Sequence, residues 1–182
     1  MLNTTISFGY KSMSLKIKQP KETSTRGNAA QFFVAGELCR RGYCATVTLG
    51  NNPNTDILCS NIEGTKFVHI QVKTYRPGDI KCTVGRKAEK SYGKNFFWVI
   101  SGIPESHSDK GFKYYIIPSS EMSKWINKEH KNWMKTPGKN NREHQDSGIR
   151  VVCIPPYKDK FTLWDISKYE NNWGLIESKL RN

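Results

Sequence analysis

Thr55-Asp56-Ile57-Leu58-Cys59, followed by Phe67-Val68-His69-Ile70-Gln71-Val72-Lys73-Thr74, is the stretch from which the fold can be read. Both segments are rich in β-branched and apolar residues. Turn formers bound them: Gly50-Asn51-Asn52-Pro53-Asn54 before the first and residues 61–65 between the two. The pattern predicts strands over 55–60 and 66–74 joined by a turn. Successive side chains of a strand point to opposite faces, so His69, Gln71 and Lys73 share one face and Val68, Ile70 and Val72 the other. Polar groups in so apolar a strand are costly unless something pairs with them. Lys73 calls for an anion, and Asp56 is the candidate. If the two strands are adjacent, Asp56 and the Gln71–Lys73 end meet at one edge of the sheet. Carboxylate and amide oxygens are hard donors suited to Mg²⁺. A lysine beside them can orient or deprotonate a water, or neutralise charge on a phosphorane. Metal-assisted hydrolysis of a phosphodiester fits these parts.

The pattern on either side predicts the rest of an α/β domain. Ala30, Phe33, Val34, Leu38 and Arg41 fall at three- and four-residue spacings and predict a helix over 28–41, with Thr25 as N-cap and Gly42 at its end. Residues 43–49 read as a strand, as do 95–103, where Phe96-Phe97-Trp98-Val99-Ile100 predicts burial on both sides, and 112–117. Ser119 or Ser120 opens a helix to about residue 133. Residues 135–148 read as a mobile polar loop, 149–154 as a strand, and Ser167-Lys168-Tyr169-Glu170 as a capping box before a last helix. Residues 1–24 read as a basic arm or a short edge strand. The expected architecture is a mixed sheet with helices on its faces.

Composition narrows the partners. The 182 residues carry a formal charge of +13, with 36% hydrophobic residues and a mean hydropathy of −0.66. That is length for one domain with one sizeable core, and the aromatic content argues against a disordered chain. No apolar run is long enough to span a bilayer, and residues 1–10 lack the pattern of a secretory signal. Cys39, Cys44, Cys59, Cys82 and Cys153 are odd in number and have no CxxC spacing. They read as buried free thiols of a reducing cytoplasm. The basic excess is uneven: residues 71–95 hold seven basic side chains against two acidic. Clustered Lys and Arg are rewarded by phosphate neutralisation, so the expected partner is a polyanion: DNA, with RNA not distinguished, and no membrane.

Asp56 followed 15 residues later by Gln71-Val72-Lys73, after an apolar-faced helix ending Arg40-Arg41-Gly42-Tyr43, resembles the PD-(D/E)XK nuclease superfamily, which includes type II restriction endonucleases, Holliday-junction resolvases and some homing endonucleases. The resemblance covers residues 26–103. It implies a restriction endonuclease-like mixed β-sheet core flanked by helices: a single domain over 25–182, with its core at 26–117 and a helical and loop elaboration at 118–182. It implies a Mg²⁺-dependent endonuclease acting on DNA, with Mn²⁺ as the alternative ion. Asp56 falls on the family's metal-binding Asp and Lys73 on its Lys. Gln71 stands where the acidic residue is usual, giving a QxK variant, and would lend an amide oxygen to the same metal. Gln31, four residues after Gly27, stands where the family places a helix Glu. Glu37 lies roughly 120° round the helix from Gln31 and is expected to pair with Arg41. Arg76, Lys81, Arg86, Lys87 and Lys90 follow the site directly and are the expected phosphate contacts. A homodimer would bring two sites to two strands, as the resembled enzymes often do.

Two amides in place of carboxylates leave Asp56 as the one sure anion, and hard cations are held mainly by charge count. Two outcomes stay open. One is an enzyme that takes up metal only with its substrate; the other is a catalytically silent nucleic-acid-binding module of the same fold. A third reading is an unrelated α/β domain whose basic face meets an acidic protein. His69 reads as a structural neighbour, and Trp125, Trp133, Trp164 and Trp173 as packing groups.

Overall fold

Ala30, Val34 and Leu38 recur at four-residue intervals and are fully buried, forming the core-facing stripe of helix α1 (Glu22–Arg40). The helix starts before residue 28, so Thr25 lies within it instead of capping it. Ser24 and Thr25 are exposed and carry no apolar periodicity, so the pattern does not register that first turn. At the other end Gly42 adopts φ 88°, Tyr43 N–H donates to Leu38 O and Gly42 N–H to Cys39 O. These paired bonds close the helix on a residue in left-handed conformation, where a side chain would be strained.

The computed structural model describes residues 22–49 and 52–181. After α1 come β1 (Cys44–Val47), β2 (Ile57–Ser60), β3 (Phe67–Tyr75), β4 (Lys81–Thr83), β5 (Phe96–Gly102), β6 (Lys113–Pro118), α2 (Ser119–Lys135), β7 (Val151–Cys153) and α3 (Gly174–Leu180). Five strands make one mixed sheet in the order β1-β2-β3-β5-β6. The pair β3–β5 is parallel, in register His69↔Phe96 to Tyr75↔Gly102, and the other neighbours are antiparallel. The helix–strand–strand–strand order, the mixed sheet and the flanking helices are those expected from the sequence. The arm expected over 1–24 lies, up to residue 21, outside the described residues, and the expected turn at 50–54 does so at residues 50 and 51.

Each face of the sheet has its own core. Val68, Ile70, Val72, Phe97 and Val99 point towards α1 and α3, which contribute Leu38, Ile176 and Leu180. Phe96, Trp98, Ile100 and Tyr75 point the other way, under Met122 and Ile126 of α2. Every residue of β5 is buried, which explains its unbroken apolar sequence. At about 1.5–3 kcal/mol for each fully buried large side chain, these two layers dominate the stabilisation. Tyr75 packs so closely on Gly102 that a Cβ there would lie 2.7 Å from the ring.

Three features differ from the sequence reading. A second, two-stranded sheet pairs β4 with β7, and β4 is too short to show a pattern of its own. Ser167 makes no capping box: its N–H and Oγ both bond Asp165 Oδ1 (2.9 and 2.6 Å), closing a 3-10 turn over Ser167–Tyr169, and α3 begins later, at Gly174. Cys39 and Cys44 are exposed, while Cys59, Cys82 and Cys153 are buried as expected; all five are free thiols. No helix of the described residues is long and apolar enough to cross a membrane.

Candidate active site

Ile57 opens β2 and marks the end of its register with β3, opposite Ile70. Asp56, just before it, donates its N–H to Ile70 O at 2.9 Å and then leaves the ladder. The next inward N–H of β3, that of the buried Val72, loses its strand partner there. An unpaired buried N–H would be costly. The Asp56 carboxylate replaces the missing strand: Oδ2 accepts Val72 N–H at 2.7 Å and also the Nε2–H of Gln71. Asp56 and Gln71 thus meet as the 15-residue spacing anticipated. Gln71 is only 7% exposed, a polar side chain held in the sheet by this bond. With its amide nitrogen committed, Gln71 Oε1 and Asp56 Oδ1 have no partner among the described residues.

Two lysines bear on this carboxylate. Lys73, two residues beyond Gln71 and on the same face, makes no ion pair with Asp56 among the described residues, although its charge acts on it and on the thiol of Cys82. Lys87 is the second. It projects from a 3-10 turn, Arg86–Glu89, in the connection between β3 and β5, and its Nζ donates to Pro53 O in the loop before Asp56. Burial raises the Asp56 carboxyl above its ordinary value. The Val72 N–H, the charges of Lys73 and Lys87 and the Gln71 amide pull it down, but by less.

That 3-10 turn is firmly held. Arg150, whose side chain is 4% exposed, donates to Glu89 Oε1 at 2.6 Å and to both oxygens of Asp146 at 2.9 and 3.2 Å. Arg86 reaches Asp146 at 2.7 Å, and Asn127 of α2 donates to Glu89 O at 2.7 Å. The sequence singled out Lys87 as a phosphate contact, but its approach to Asp56 depends on this tertiary clamp and has no local signal.

The other expected residues are dispersed. Lys81 is paired with Asp159 at 2.5 Å and Arg86 with Asp146, so both have carboxylate partners within the chain. Lys90 lies over the Tyr92 ring, and the Arg76 N–H donates to Asp79. Gln31 is on α1, which packs against the face bearing Val68, Ile70 and Val72, and it has no hydrogen bond to Asp56, Gln71 or Lys73. Glu37 pairs with Arg41 as expected (2.8 Å) and also with Arg40 (2.8 Å). The His69 ring meets Thr55 Oγ1 at 3.3 Å. Of the four tryptophans expected to pack, Trp164 and Trp173 are buried like Trp98 of β5, and Trp125 stacks on Trp164.

The donors suit a hard divalent ion only in part. No three His, Cys, Asp or Glu side chains come together as a metal-holding group among the described residues. One carboxylate and one amide oxygen, with two ammonium charges bearing on them, make a half-site that phosphate oxygens would have to complete.

No protein-family model matches this sequence, and no curated protein does either. Among solved structures the chain is similar to a bacterial homing endonuclease, at 16% identity and a TM-score of 0.48, covering 86% of this chain and 93% of that one. It is also similar to a Holliday junction resolvase from the archaeal hyperthermophile Archaeoglobus fulgidus, at 13% identity and a TM-score of 0.40, covering 70% and 84% of the two chains.

Proposed function

We propose that this protein is an endonuclease of the PD-(D/E)XK type, in its QxK variant, hydrolysing phosphodiester bonds in DNA. The observation that carries the reading is the carboxylate of Asp56, held by Val72 N–H and Gln71 at the point where β2 leaves β3, with Lys73 and Lys87 acting on it. The two ammonium charges beside the carboxylate would neutralise phosphate oxygens of a bound strand.

Asp56 Oδ1 and Gln71 Oε1 would hold Mg²⁺ or Mn²⁺ together with phosphate oxygens of the bound strand. The ion would supply neutralisation of the charge that develops on the attacked phosphate. Lys73 binds and orients the attacking water and offsets charge in the transition state. Lys87 holds the loop at Pro53 and draws the strand to Asp56. Two such sites in a homodimer would serve two strands.

A second reading has an observation of its own. One carboxylate against two lysines, without a cluster of acids among the described residues, also suits a module of this fold that binds DNA without cutting it. Incubating purified protein with supercoiled plasmid in Mg²⁺, Mn²⁺ or EDTA separates the two. Nicking or linearisation that EDTA abolishes supports the enzyme; intact plasmid, with DNA binding retained, supports the silent module.

A further inference from the structure

Lys124, Lys128, Lys131 and Lys135 follow one another along α2 at spacings of four, three and four residues. At 3.6 residues per turn they fall within an arc of about 60° and extend over about 16 Å. All four are exposed. Lys124 and Lys128 lie over the Trp125 ring at 5.4 and 4.8 Å, and none of the four has a carboxylate partner among the described residues. The two acids of the helix are turned inward. Glu121 accepts from Trp125 Nε1 and Tyr169 OH, and Glu129 accepts from Leu163 N–H and Trp164 N–H. Like charges at these spacings repel and weaken a helix, so the stripe calls for a polyanion to offset them.

We propose that this lysine face of α2 is a tracking surface for the phosphate backbone of duplex DNA, continuing from the site at Asp56. A duplex carries one phosphate charge per about 1.7 Å of its axis, which gives roughly nine over the length of the stripe. A membrane surface fits less well, because a membrane-binding basic helix lays apolar residues beside its lysines. Here Met122 and Ile126 are buried in the core, Trp125 is partly buried beneath Lys124 and Lys128, and Met134 alone of the large apolar side chains described on α2 is exposed, too little apolar surface to enter a bilayer. The continuity is structural: Asn127 ties α2 to the 3-10 turn that carries Lys87, and the Lys87 charge reaches Asp56. The identification of the polyanion as DNA rests on the function proposed above.

The test is the salt dependence of binding to a short labelled duplex, for wild type and for the protein with Lys124→Gln, Lys128→Gln, Lys131→Gln and Lys135→Gln together. Glutamine keeps helix propensity close to that of lysine. Each lost phosphate contact lowers the slope of log K against log salt by about 0.9, so the expected loss is up to about 3.6. The double variants Lys124→Gln/Lys128→Gln and Lys131→Gln/Lys135→Gln are each expected to lose about half of that, which secures the test if the quadruple variant is unstable. A wild-type slope in folded variants would overturn the proposal. So would wild-type protein that binds phosphatidylserine vesicles and not the duplex. Plasmid cleavage is read separately: binding that depends on the stripe without any cleavage sinks the nuclease reading alone, and cleavage with an unchanged slope sinks this proposal alone.

Discussion

The Asp56 carboxylate accepts the backbone N–H of Val72 at 2.7 Å, standing in for the strand that β3 loses when β2 turns away. One side chain thereby does two things: it satisfies the backbone of the central sheet, and it places a negative charge beside Gln71 and Lys73. The candidate site is part of the way the sheet ends.

That double role predicts how stability depends on pH. Burial raises the folded-state value of the Asp56 carboxyl above 3.8. Between the unfolded and the folded values the native state binds more protons, so its stability falls as pH rises through that window. Asp56→Asn removes the buried charge and keeps an oxygen for Val72 N–H. It is expected to melt above wild type at about pH 7 and level with it below about pH 3, where the wild-type carboxyl is protonated in both states. Thermal melts at the two pH values measure this, and a variant that melts lower at neutral pH would contradict it.

Gln71→Glu tests the half-site. The Gln71 amide now donates to Asp56. A carboxylate in its place puts two like charges in one site, one of which must be protonated or bridged by a cation. The expected result in EDTA is a lower melting temperature, by roughly 2–4 °C for each kcal/mol of repulsion. Mg²⁺ should restore it, while leaving the melting of DNA-free wild type unmoved. Melts that ignore Mg²⁺ in the variant would show that these oxygens do not converge on an ion.

Glu89→Gln probes the clamp on the Lys87 turn. The nearly buried Arg150 loses one of its two carboxylates and keeps Asp146. A destabilisation of about 1–3 kcal/mol is expected, with a weaker dependence of DNA binding on salt if Lys87 drifts from the site. Urea unfolding supplies the first number, and an unchanged midpoint would mean that Asp146 alone holds the guanidinium.

The central sheet was legible in the sequence because its strands alternate or run unbroken apolar, and the contact of Asp56 with Gln71 was legible because a short turn separates their strands. The pairing of Lys81 with Asp159 and the clamp of Arg150 on Glu89 join residues 78 and 61 positions apart, where no local pattern exists. Lys81 and Arg86, two of the five expected phosphate contacts, have carboxylates beside them for the same reason, since Asp159 and Asp146 lie far from them along the chain. The α2 lysines did carry a signal, a helical spacing of one charge, but its significance depends on Glu121 and Glu129 facing inward, which only the packing reveals.

The most direct measurement is plasmid cleavage by Lys73→Ala beside wild type, with duplex affinity measured in parallel. Lys73 makes no ion pair that its loss would break among the described residues, so the fold should survive. The account predicts a fall in metal-dependent cleavage of about 10²–10⁴-fold with affinity changed only slightly. Cleavage at the wild-type rate in Lys73→Ala would contradict it.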